Sequence, residues 1–164
     1  MTTNLGFLAA LNQPTRRGLL LNVGAAVLSC LLLNGLIFAF NWDDSGPLPL
    51  APALGPYVGA VWVGLFALLG TARWQLIRVG SSAGRRARRW VVILMASCLA
   101  YPFYTLALGS DLAGLLGNVE TILLAAFVAW RIWPYSRPAA RLVLPVIAWV
   151  TFATATVLRG LGWL

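Results

Sequence analysis

Trp62, Leu65, Phe66, Leu69 and Arg73 recur at i, i+3, i+4, i+7 and i+11, the spacing that gathers side chains on one face of a helix. Two aromatic rings on such a face can cover a flat apolar molecule, but they cannot make or break bonds. The same face also suits packing against a neighbouring helix. Just before it, Pro47, Pro49, Pro52 and Pro56 fix φ and remove backbone donors, so an extended or turned apolar lid is expected there. Groups for acid–base or covalent chemistry are scarce. The chain has no His, which removes the usual general base and the usual haem ligand. Cys30 and Cys98 sit singly inside apolar runs, so neither a metal site nor a disulfide framework is indicated. No phosphate-cradling glycine loop occurs, and no Ser or Cys nucleophile has a neighbouring base. The sequence points to binding and not to an enzyme, with no catalytic or metal-ligating residue.

The elements that hold these residues are set by composition. Sixty per cent of the residues are hydrophobic, ten per cent are charged and the mean hydropathy is +0.84, which identifies an integral membrane protein. In 164 residues there is room for about five spanning helices of ~20 residues with short connections. The expectation is an all-α, polytopic membrane protein: a single bundle of five transmembrane helices over about 18–40, 56–79, 90–108, 112–133 and 139–162. Residues 41–55 form a proline-rich outer loop and 80–89 an Arg-rich cytoplasmic loop. Residues 1–16 suit an interfacial segment. The Arg16-Arg17 pair before Gly18–Phe40 resembles a signal peptide, but the apolar run is too long for one and no small-residue cleavage site follows.

The net charge of +8 comes from arginines placed at helix ends, which signals topology and not nucleic acid. Arg16/Arg17, the Arg78–Arg89 cluster and Arg131/Arg137/Arg141 share one side. Asp43/Asp44, Asp111 and the C-terminus share the other. By the positive-inside rule the N-terminus is cytoplasmic and the C-terminus periplasmic, so the proline lid is external. Anionic lipid head groups are natural neighbours of the Arg85–Arg89 run. The membrane expected is a bacterial inner membrane, because five long apolar helices suit its insertion pathway and outer-membrane proteins are usually barrels.

Polar groups inside the spans should face other helices, because lipid cannot satisfy them. Asn22 and Asn34 are two. Glu120, about 12 Å into the fourth helix, is expected to form an interhelical hydrogen bond or to pair with Arg73 or Arg159, in preference to carrying protons. Ala96/Ala100 and Gly55/Gly59 are small-xxx-small pairs that allow close helix approach.

The motifs resemble those of the TspO/MBR family, the translocator or tryptophan-rich sensory proteins. The second helix carries Val61-Trp62, Leu65-Phe66, Leu69-Gly70 and Ala72 in the family's order. The third has Tyr101-Pro102-Phe103-Tyr104 where the family has W-x-P-x-FF. The fifth is closest, with Ala140, Leu142, Leu144, Pro145, Trp149, Val150, Phe152 and Ala153 in place. The departures are Ala53-Leu54 for paired prolines, Val58 for Phe, Val146 for the Tyr of a Pro-Tyr pair, and Thr156-Val157 for Leu-Asn. A sterol-recognition pattern is absent from the fifth helix, which has no Tyr.

The resemblance implies a homodimeric membrane protein that binds a porphyrin-type tetrapyrrole or similar flat apolar ligand non-covalently, in a regulatory, sensory or transport-related role. The pocket would lie inside the bundle beneath the first loop. By motif position its lining would be Trp62, Phe66, Trp149, Phe152 and Tyr101 or Tyr104. Indole faces suit a flat macrocycle, and Pro145, Trp149, Phe152 and Thr156 do share one helical stripe. A different class of function also remains open: a structural or assembly subunit of a larger photosynthetic pigment–protein complex built on the same fold.

Overall fold

Four helices begin at a small hydroxyl residue that satisfies one of their free amides. Thr15 Oγ1 accepts from the Gly18 amide at 3.2 Å, and Ser81 Oγ from Gly84 at 3.0 Å. Ser110 Oγ accepts from Ala113 and Ser136 Oγ from Ala139, both at 3.3 Å. These caps set where each helix starts. The computed structural model describes residues 3–42 and 52–164, and the regular structure among them is helical. In order come α1 (Thr3–Leu11), α2 (Arg16–Ala39), a 3-10 turn (Pro52–Tyr57), α3 (Val58–Arg78), α4 (Ser82–Tyr104), α5 (Asp111–Ile132), α6 (Arg137–Arg141) and α7 (Leu144–Gly160). Pro47, Pro49, Asp43 and Asp44 lie outside the described residues.

Among the described residues, four stretches are long and apolar enough to cross a membrane: Arg16–Ala39, Ala53–Arg78, Asp111–Ile132 and Arg137–Gly160. The protein is therefore an integral membrane protein. Of the five spans expected, four meet this criterion and α4 does not. Its first turns carry Arg85, Arg86, Arg88 and Arg89, and the apolar remainder, Trp90–Tyr104, is shorter than the ~20 residues a bilayer core requires.

Other boundaries move for local reasons. Residues 82–89, read from sequence as loop, belong to α4, since the Ser81 cap and a run of good helix formers start the helix early. The turn from α3 is correspondingly tight and uses Gly80 at φ +69. The last helix breaks between Arg141 and Leu144. Pro145 has no amide hydrogen, and its ring would collide with the Arg141 carbonyl in a continuous helix. Pro52 and Pro56, expected in an extended or turned lid, lie in a 3-10 turn, whose φ is close to that of proline.

The most extensive pairings are α2 with α3 and α5 with α7, and α4 packs between α3 and α5. The short α6 fits against both α3 and α5. Leu69, Leu76, Val91, Leu94, Val128 and Ile132 form the closed part of the core. Outward-facing positions are also apolar, including Leu20, Leu28, Leu32, Leu123 and Trp130, as a lipid-facing surface requires. The two asparagines of α2 find partners. The Asn34 amide donates to the Gly59 carbonyl at 3.3 Å across α2 and α3. Asn22 is buried and donates to the Leu11 and Gly18 carbonyls at 2.8 and 2.7 Å.

Candidate functional site

α7 packs on α5 and α6 but not extensively along α2 or α3. The space left between these helices is a cavity of ≈ 1790 Å³, larger than the ~300–1,000 Å³ of typical small-molecule sites. Its inner end is formed by Cys30 and Asn34 of α2, Phe66 of α3, Cys98 of α4 and Val150 of α7. Its outer end lies among Asn41, Trp42, Pro56 and the α4–α5 turn. That turn carries the lining inward and back through Gly109, at φ +57.

Trp62, Phe66, Tyr101, Trp149 and Phe152 all line this one cavity. Trp62 and Phe66 lie 6.4 Å apart on α3, their planes tilted by 59°. Trp149 and Phe152 lie 5.7 Å apart on α7, tilted by 37°. One helical face from each side thus supplies a pair of rings. Phe66 is only 1% exposed, so it serves the core as well as the lining.

Tyr104 does not belong to the lining. It stacks edge-on against Tyr101 at 5.8 Å and is partly exposed. Three residues beyond Tyr101 on α4, its ring turns toward α5, where a Cβ added at Gly117 would lie 3.1 Å from it. Tyr101 is fixed by donating its hydroxyl to Asn118 Oδ1 at 2.8 Å. The Asn118 amide nitrogen and Thr121 Oγ1 are buried without a partner, and Asn118 borders the cavity.

Sequence reasoning did not assign Trp42, Cys30, Cys98 or Asn118 to the lining. Trp42 stacks on Phe40 at 5.4 Å and meets Phe103 edge-on at 5.4 Å, closing the rim from outside the helices. Its aromatic type at a span end was the available signal, and it reads equally as an interfacial anchor. The cysteines are free and buried, and nothing in their spacing distinguishes lining from core.

Glu120 stands apart from the cavity. It is on the exposed side of α5 near the helix midpoint, and Ser97 Oγ donates to its carboxylate oxygens at 2.9 and 3.0 Å. The expected interhelical hydrogen bond is therefore made, but with Ser97 and not with Arg73 or Arg159. Arg73 bonds Asn22 and Asn12, and Arg159 bonds the Leu164 carbonyl at 2.8 Å. Ser97→Ala is expected to lower stability by ~0.5–1.5 kcal/mol, the range for one interhelical hydrogen bond. Glu120→Leu is expected to be neutral or stabilising for the isolated chain, because it removes a carboxylate from lipid. Unfolding in mixed micelles followed by far-UV circular dichroism measures both.

The position of the other tryptophans sharpens the contrast. Trp74, Trp90, Trp130 and Trp133 lie toward the arginine-rich helix ends, where Arg78 covers the Trp74 ring at 5.2 Å and Arg131 the Trp130 ring at 5.8 Å. These suit interfacial anchoring. Trp62 and Trp149 lie well inside their spans and face the cavity. No curated protein and no solved structure is detectably similar to the chain. A family model, that of the TspO/MBR family, matches residues 26–160. This stretch includes every residue that lines the cavity, and the chain belongs to the TspO/MBR family.

Proposed function

We propose that this protein binds a porphyrin-type tetrapyrrole, or a similarly flat apolar ligand, in the cavity between α2, α3, α4 and α7. Binding serves a sensory or transport-related role and not catalysis. The observation that carries this reading is the convergence of Trp62 and Phe66 with Trp149 and Phe152 on one interior cavity. Their rings supply large apolar area and offset stacking.

In this reading α4 is the fifth crossing, because α3 ends at the arginine-rich end of the bundle and α5 starts at the opposite one. Thr105–Leu108 completes its passage. The basic end faces the cytoplasm, in a bacterial inner membrane. Ala96 and Ala100, exposed on α4, suit a close contact between two copies.

A second reading has its own observation. Glu120 presents a carboxylate on the outer face of α5 at mid-span, where lipid offers no donor. That placement favours a neighbouring chain, as in a subunit of a larger pigment–protein assembly. Purification from native membranes in mild detergent, recording particle mass and visible absorption together, separates the two. A particle of one or two copies that takes up protoporphyrin supports the ligand-binding protein. A large particle with other chains and stoichiometric pigment overturns it in favour of the subunit.

A further inference from the structure

We propose that Arg73 and Arg88 form a phosphate-binding site at the basic end of the bundle. Asn12, just past α1, accepts from both: Arg73 Nη2 donates to Oδ1 at 3.1 Å and Arg88 Nη1 donates to the same oxygen at 3.2 Å. Two guanidinium groups therefore converge on a single neutral acceptor. Arg73 is fixed further by donating Nη1 to Asn22 Oδ1. Asn22 is 4% exposed, and its amide is anchored on the Leu11 and Gly18 carbonyls. Three parts of the fold, the α1–α2 junction, α3 and α4, thus hold two like charges together.

Nothing described nearby neutralises them. Asp111 opens α5 at the other end of the bundle, and Glu120 is hydrogen-bonded to Ser97. Arg85, one turn before Arg88 on α4, adds a further positive charge. A carbonyl oxygen is a weak partner for two guanidiniums, whereas a phosphate offers several charged oxygens that match two forks at once.

Depth selects the same chemistry. Arg73 lies five residues before the end of α3 and Arg88 six after the start of α4, about 7–9 Å along the helix axes. The headgroup layer is ~5–8 Å thick on each side of the bilayer core. The pair therefore lies near the level of phospholipid phosphates. Asn12 and Arg88 are solvent-accessible in whole or part, so a phosphate group can reach the shared oxygen from outside. Both a lipid headgroup and a soluble phosphate carry the required group. This inference does not depend on what the cavity binds.

The test uses the full chain in phosphate-free maltoside micelles, alone or with added phosphatidylglycerol, and inorganic phosphate at ionic strength matched with chloride. Thermal stability and lipid retained in native mass spectrometry are the readouts. Arg88→Gln is compared with Arg86→Gln, an exposed neighbour on the same helix, and with Arg88→Lys, which keeps the charge but loses the fork. The expected result is binding weakened about tenfold by Arg88→Gln, the loss of one charge-assisted hydrogen bond, little changed by Arg86→Gln and intermediate for Arg88→Lys. A response to phosphatidylglycerol identifies the headgroup as the source. A response to inorganic phosphate in lipid-free micelles identifies a soluble anion. Equal effects of Arg86→Gln and Arg88→Gln, or no preference for either phosphate source over its control, would overturn the site in favour of diffuse surface charge.

Discussion

Trp149→Ala is expected to weaken protoporphyrin binding by roughly 10–100-fold while leaving the protein folded. A tryptophan offers ~150–250 Å² of surface, worth up to ~4–6 kcal/mol if all of it transfers from water to ligand, at ~25 cal/mol per Å². Trp149 is already packed in part against the core, so only its cavity-facing portion counts. About half of that area gives ~2 kcal/mol, or about 30-fold. Trp62→Ala, on the opposite wall, should act similarly, and the double variant should bind too weakly to titrate. Trp149→Phe keeps a ring on the same face and should lose less than Trp149→Ala. Trp130, 67% exposed and remote from the cavity, provides the control: Trp130→Ala should bind as the parent does. Porphyrin absorbance titrations measure all five variants without depending on the number of tryptophans left, and far-UV circular dichroism checks the fold. Unchanged affinity in folded Trp62→Ala and Trp149→Ala would place the ligand outside this cavity.

Much of this arrangement is legible in the sequence because a membrane simplifies the problem. Arginines at helix ends and long apolar runs mark the ends of α2, α3 and α5 directly, and helical spacing predicts that Trp62, Leu65, Phe66 and Leu69 share a face. The neighbouring pairs that decide finer features are not written in spacing. Tyr101 and Tyr104 are both plausible lining residues by motif, yet only Tyr101 reaches Asn118 and borders the cavity. That choice rests on how α4 is rotated against Gly117 of α5. Glu120 is readable as costly, but which way its helix face turns depends on α4 and α7 packing, and it turns outward to Ser97. The arginine run of residues 85–89 reads as loop by charge alone, although arginine is a good helix former and Ser81 supplies a cap. Pro145 could have announced the break before α7. In the sequence it lies within a long apolar run, whose hydropathy hides a backbone interruption.

Gly70→Val should lower stability by about 3 kcal/mol, and this follows from one close approach. α2 crosses α3 so tightly at Gly70 that an added Cβ would lie 2.8 Å from the Asn22 carbonyl oxygen and 3.0 Å from Val23 Cα. Both are backbone atoms, so no rotamer change can relieve the contact. The helices must separate, and α2 with α3 is among the two most extensive pairings in the bundle. Overpacking of this kind costs about 1–3 kcal/mol and sometimes more, and the branched side chain puts the effect at the upper end. Separation would also strain the hydrogen bonds by which Asn22 holds Arg73 and Asn34 holds Gly59. Gly64, on the same helix, has nothing within 4 Å of its would-be Cβ. Gly64→Ala should therefore be neutral or stabilising by up to ~0.5–1 kcal/mol, because alanine loses less backbone entropy in a helix. Opposite signs at two glycines six residues apart separate close packing from helix propensity, which treats them alike. Mixed-micelle unfolding reads both. If Gly70→Val were as stable as the parent, α2 and α3 could not cross at this point. Cys30 and Asn34 of α2 would then lose their place in the cavity wall, since this crossing sets the rotation of α2 against the face that carries Trp62 and Phe66.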